Sequence, residues 1–276
     1  MSFHLLRPKR IGPYLAVATG TILGSYGIAI YLDSKNKYQF SSFNRFSGSN
    51  SRKSFQYSST DNPIDNFRKF WKQCRESQKT IYSLIAANSL VFLAWKIPAF
   101  SPYLNRYFLH SINSAPISML GSTFSHKSLM HLGFNMLALN SFGPFLHDRM
   151  GREQFLAFYI SAGMSSSIVS HLYKSLRWNF IPSLGASGAI FGLVGACAHY
   201  PELKVSLIFL PIHSIPISQA LPAMMGFDAL GMIMDWKIFD HAAHLGGSLF
   251  GYSFYRISQE KIWKNRRKIQ NYFNLL

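Results

Sequence analysis

The chain has 276 residues, 48% of them hydrophobic and only 14% charged, where a soluble domain carries about 25% charged residues. Its net charge of +17 would fit a nucleic-acid binder if the cations formed one surface, but thirteen of the 28 basic residues precede Thr80 and six lie at or after Arg256. Cations collected in tails and linkers, with few inside the apolar segments, describe juxtamembrane charge and exclude a nucleic-acid footprint.

Arg7, Lys9 and Arg10 lead into IGPYLAVATGTILGSYGIAIYL, 22 residues without a charge, and the first acid is Asp33. A run of this length can cross a bilayer and exceeds the apolar core of a secretory signal. Residues 1–32 are therefore read as a basic start and a first hydrophobic span, an anchor or part of a mitochondrial presequence. Residues 33–62 follow as a Ser-rich disordered linker, because SSFNRFSGSNSRKSFQYSS holds too little apolar surface to fold alone. A basic, serine-rich, acid-poor composition of this kind suits an organellar address. In residues 63–80, Ile64, Phe67, Trp71 and Cys74 recur at helical spacing with Arg68, Lys69, Lys72, Arg75 and Lys79 opposite. This is an amphipathic basic helix, lying either on anionic headgroups or on the domain itself. Cys74 and Cys197 are too far apart in character to imply a disulfide framework.

Six apolar segments then follow in residues 81–257, near 81–99, 129–147, 155–173, 183–200, 216–234 and 241–257, before a basic tail at 258–276. The fold class is an all-α membrane protein with a six-helix core and one additional N-terminal transmembrane helix. An even number of core spans returns the basic flanks, Arg68–Lys79 and Arg256–Lys268, to one face. A retained first span would put the basic N-terminus on the other face, so either that span is removed or the charge rule is broken at one end.

Polar groups at membrane depth are functional candidates by default. His126, His131 and Asn135 lie in SHKSLMHLGFNMLALN, the last two four apart and so on one helical face. Ser187 sits among glycines in SLGASGAIFGLVGA, and His241 and His244 open the last span. Each has a bland explanation taken alone: a membrane serine bonds to its own backbone, and a histidine at a helix end is interfacial. Gly188 with Gly192, and Gly247 with Gly251, form two small-xxx-small seams whose close approach would bring Ser187 within reach of His244. A metal site built on His131, His241 and His244 lacks the glutamate that paired histidines use as a base, and Asp228 adds at most one ligand. Neither metal nor cofactor is expected.

Gly185-Ala186-Ser187-Gly188, His131 with Asn135, and His244 followed by Gly247 and Gly251 resemble the motifs of the rhomboid family of intramembrane serine proteases, on core helices four, two and six. FDHAAHLGGSLFG, YPELKVSLIFLP and the extra N-terminal span are similar to the mitochondrial rhomboids. The resemblance implies Ser187 as nucleophile, His244 as base without an aspartate, and Asn135, His131 and the Ser187 N–H as oxyanion hole. It also implies supporting positions at Gly185, Ala186, Gly188 and His126, and at Phe191, one turn after Ser187, packing on His244. The Trp-Arg pair of many rhomboids has only Asn105-Arg106 as a counterpart here. The implied activity is cleavage of transmembrane proteins, such as a dynamin-related GTPase, in the mitochondrial inner membrane, with the lipid bilayer as the other partner. The alternatives are a catalytically inactive rhomboid-like scaffold, which would lack the Ser-His pair, and a metal-dependent membrane enzyme.

Overall fold

The computed structural model describes residues 11–43, 62–207 and 210–273. The chain is mostly helical. Helix α1 (Gly12–Phe43) carries the first apolar run, and α2 (Pro63–Gln73) and α3 (Glu76–Ala94) share the stretch read as one amphipathic helix. Asn62 caps α2 through its side chain, and Pro63 opens the first turn. Cys74 then takes an extended conformation, and the Gln78 side chain accepts from the Arg75 amide at 2.8 Å at the start of α3. The break is thus written in local cap chemistry.

A short 3-10 turn at Pro98–Phe100 and α4 (Ser101–Tyr107) follow α3 at a bend of 100°. After α5 (Ser118–Ser122) come α6 (Leu129–Met150), α7 (Arg152–Leu176) and α8 (Ser187–Cys197). A two-stranded antiparallel hairpin, β1 (Lys204–Leu207) with β2 (Leu210–Pro216), leads to α9 (Ile217–Ile233) and α10 (His241–Ile257). A π-helical turn at Ser258–Trp263 and α11 (Arg266–Tyr272) complete the described chain.

Several boundaries differ from the sequence reading. Helix α1 runs on to Phe43, through the first part of the stretch read as a linker, and Asp33 on its far half pairs with Arg266 at 3.0 Å. The rest of that linker and the basic N-terminus lie outside the described residues. The fourth core segment is irregular over 183–186 and becomes helical only at Ser187. The hairpin at 204–216 was not anticipated. By length and composition, Gly12–Asn36 and Arg152–Leu176 can each cross a membrane, and α3 with the bent 98–107 segment makes a third.

Helix α7 is the axis of the bundle and touches α1, α6, α8 and α10. Its SAGMSSS stretch buries Ser161, Ala162, Gly163, Met164 and Ser166, mostly small side chains that let neighbouring backbones come close. Helix α1 lies along it: Tyr14 is fully buried, donates to the Ser114 carbonyl at 2.7 Å and stacks on His171 at 3.8 Å. Further along, Asn36 donates to Glu153 at 2.7 Å. The main apolar core is formed by α3, α6, α7, α8 and the start of α9, from Ile81 and Leu139 to Leu193 and Leu221.

Candidate active site

The tightest helix pair is α8 against α10. A Cβ added at Gly247 would strike the carbonyl oxygen of Gly188, and one at Gly251 would strike that of Gly192. The two glycine seams therefore face each other, and only the absence of side chains permits the approach. Ser187 opens α8, where the first amides of a helix have no intrahelical partners, and His244 lies in the first turn of α10.

This crossing leaves Ser187 Oγ 3.0 Å from His244 Nε2, within hydrogen-bond reach. Phe191 stacks on the imidazole with ring centres 4.2 Å apart and planes 8° from parallel, one turn after Ser187 on the same helix. Gly185 takes φ +130°, which disfavours a side chain, and a Cβ there would meet the His131 ring at 2.7 Å. The Ala186 amide donates to Nε2 of His126 at 3.3 Å. His126 is fully buried and its ring lies edge-on to His131 at 4.9 Å. His131 and Asn135 share one face of α6; Asn135 Nδ2 donates to the His131 carbonyl at 2.7 Å. An amide nitrogen carries two N–H donors, so one remains for another acceptor. His131, Asn135, Ser187 and His244 line a common cavity of about 640 Å3. Of the other residues predicted for the site, Phe191 and His241 line the same cavity, while Gly188, Gly192, Gly247 and Gly251 set the helix spacing.

Two groups escaped the sequence reading. Asp228 is buried on α9, and its Oδ1 lies 2.7 Å from His241 Nδ1 and 3.3 Å from His244 Nδ1. His241 is itself buried, not interfacial. Asp228 was weighed only as a metal ligand, and no spacing signals that a residue sixteen positions upstream meets the far side of the His244 ring. The second group is a cluster of Lys174, Asp240 and Ser183, which border the same cavity, together with Ser170, which donates to Asp240. Asp240 stands just outside α10. Burial pushes its carboxyl up, but the Lys174 ammonium and the Ser183 and Ser170 hydroxyls outweigh that and hold it at about 2. Among the described residues no group of three or more His, Cys, Asp or Glu side chains has the geometry to hold a metal ion.

A mostly helical chain with candidate membrane-spanning helices thus brings a serine and a histidine on two crossing helices together at one cavity. The family model described as Rhomboid domain matches residues 114–259. The mouse presenilin-associated rhomboid-like protein, mitochondrial, is 44% identical over 204 residues, covering 73% of this chain and 54% of its own length. Rhomboid protein 1, mitochondrial, of Saccharomyces cerevisiae is 37% identical over 197 residues, covering 69% and 56%. Rhomboid protease GluP of Bacillus subtilis is 35% identical over 128 residues, covering 46% and 23%. The chain belongs to the rhomboid family. It spans about half the length of the mitochondrial relatives it matches.

Proposed function

We propose that the protein is an intramembrane serine endopeptidase with one N-terminal and six core transmembrane helices. The observation that carries this reading is the 3.0 Å approach of Ser187 Oγ to His244 Nε2 at a cavity inside the bundle. Asp228 at Nδ1 favours the tautomer whose proton sits on Nδ1, leaving Nε2 to accept the serine proton. Ser187 Oγ attacks the scissile carbonyl carbon as its proton passes to Nε2, and His244 then gives that proton to the leaving amine. Water, activated by the same nitrogen, hydrolyses the acyl-enzyme. The Ser187 N–H, the free N–H of Asn135 and the His131 ring donate to the oxyanion, where each donor can contribute about 3–4 kcal/mol in the transition state. Phe191 fixes the ring plane, and Asp228 stabilises the imidazolium as it forms.

The substrates are transmembrane proteins, cut at or near a membrane-spanning segment, with the bilayer itself as the second partner. The names of the mouse and yeast relatives, together with the basic, serine-rich N-terminal region, support a mitochondrial membrane, and we assign the inner one. A dynamin-related GTPase of that membrane is the expected substrate class.

The test is hydrolysis of a transmembrane substrate by the reconstituted full chain. Ser187→Ala and His244→Ala should each lower the rate by at least about 10^3-fold while the protein stays folded. Cleavage by Ser187→Ala at the wild-type rate would overturn the reading, and an inactive wild type would favour a scaffold.

A further inference from the structure

The glycine seam brings α8 and α10 together sideways, but smooth backbone packed on backbone does little to stop one helix sliding along the other. Something else must fix the two helix starts, and the cluster on α7 has the connections to do so. Lys174 Nζ donates to Ser183 Oγ at 2.6 Å and to Asp240 Oδ2 at 2.7 Å. The Ser183 hydroxyl donates to Asp240 Oδ2 at 2.5 Å, and Ser170, one turn from Lys174, donates to the same carboxylate at 2.8 Å. Ser183 stands four residues before Ser187, and Asp240 stands four residues before His244.

Both leads are stiff. The Ser183 backbone exchanges two hydrogen bonds with His110, at 3.0 and 2.6 Å. From there the Gly185 amide donates to the Ser122 carbonyl at 2.9 Å and the Ala186 amide to His126, so a displacement at Ser183 is passed on to Ser187. On the other side, the Asp240 side chain accepts from the Ala243 amide at 3.2 Å and its carbonyl accepts from the His244 amide at 3.0 Å.

We propose that the Lys174–Asp240–Ser183 junction is a positioning device that sets the Ser187-to-His244 distance by pinning the starts of both helices to α7. This inference rests on the reading of Ser187 and His244 as nucleophile and base. A partly buried ion pair of this kind is a poor source of net stability, because desolvation offsets its attraction. Its directional bonds do specify a geometry, and a misplacement of about 1 Å between reacting groups can lower a rate about 10^2-fold. Ser183 is the informative member, since its hydroxyl alone joins the nucleophile's lead to the base's lead, while Lys174 and Asp240 can still pair without it.

The experiment uses the reconstituted full chain, steady-state kinetics on a transmembrane substrate and thermal unfolding. Ser183→Ala should lower kcat by about tenfold or more with KM within about twofold and little change in Tm, and Ser183→Thr, which restores the hydroxyl, should recover much of the loss. Lys174→Met should lower kcat more strongly, with Lys174→Arg intermediate. Wild-type kcat in folded Ser183→Ala, or no recovery in Ser183→Thr, overturns the junction. Hydrogen exchange decides it independently of any cleavage. Amides of both Ala186 and His244 should exchange faster in Ser183→Ala, and unchanged exchange at either one overturns it. A wild type without Ser187-dependent cleavage would instead count against the proposed function and leave the exchange result to decide the junction.

Discussion

Helices α9 and α10 have the same length, 17 residues, and follow each other in the chain, yet they are built on different principles. Helix α10 buries nine residues, four of them the histidines and seam glycines of the site. Helix α9 buries four, and two of those, Asp228 and Gly231, face the histidines at the start of α10. Packing explains almost every inward residue of α10. On α9 the inward residues near α10 are too few to be a packing face, and one is a carboxylate. A sparsely packed helix thus reveals its functional contacts more plainly than a densely packed one, because little else accounts for them.

That contrast can be broken at its packed end first. Gly251→Leu inserts a side chain where the Gly192 carbonyl stands, and backbone cannot rotate out of the way. Overpacking at such a point costs about 1–3 kcal/mol or more, so the variant should lose both thermal stability and hydrolysis together, read as a lower Tm and a lower rate on the same preparation. The α9 end should behave in the opposite way. Asp228→Asn keeps the size of the side chain and an acceptor for His241, but removes the charge beside His244. It should lower kcat by about 10^2-fold, short of the roughly 10^4-fold seen when a buried triad aspartate is neutralised, with Tm unchanged. A falling Tm in Asp228→Asn with unchanged kcat would make Asp228 a packing residue like its neighbours on α10.

The smallest effect concerns the cap at the start of α10. The folded Asp240 carboxyl titrates at about 2, below its ordinary 3.8. A depressed carboxyl contributes stability that is complete above its unfolded value and disappears as pH falls toward the folded one. Wild type should therefore lose Tm between about pH 5 and pH 2 more steeply than Asp240→Asn, which has no proton to take up there. Parallel curves would show that the pairing with Lys174 adds nothing to stability.

Ser187, His244, Asn135 and His131 could be singled out because a polar group in an apolar run is conspicuous and the glycine spacing predicted which helices could touch, but their roles came only from the resemblance to rhomboid motifs. Asp228 was equally conspicuous, but its partners lie across the 234–240 connection, and sequence spacing carries no information about contacts between helices. Nothing in the sequence singles out Lys174 or Asp240; their pairing depends on how α7 and α10 meet. The polar extension of α1 to Phe43 has few apolar residues of its own and is tied down through Asp33 and Asn36 to distant parts of the chain. The hairpin strands Lys204–Leu207 and Leu210–Pro216 lie between two segments read as spans, and a short apolar run of this kind does not reveal by periodicity whether it is strand or helix.

The α8–α10 crossing also determines which changes the chain can tolerate as its sequence drifts. At Gly247 and Gly251 the obstacle to a methyl group is a carbonyl oxygen of the opposite backbone, which is present whatever residue occupies that position. No second substitution in α8 can make room, so these two sites have no suppressors on the facing helix. At Gly188 the obstacle is the side chain of Ser166, and replacing that serine with glycine clears the space. An alanine at 188 is therefore conditionally acceptable, provided position 166 changes first. The crossing can be remodelled from the α7 side and is fixed from the α10 side.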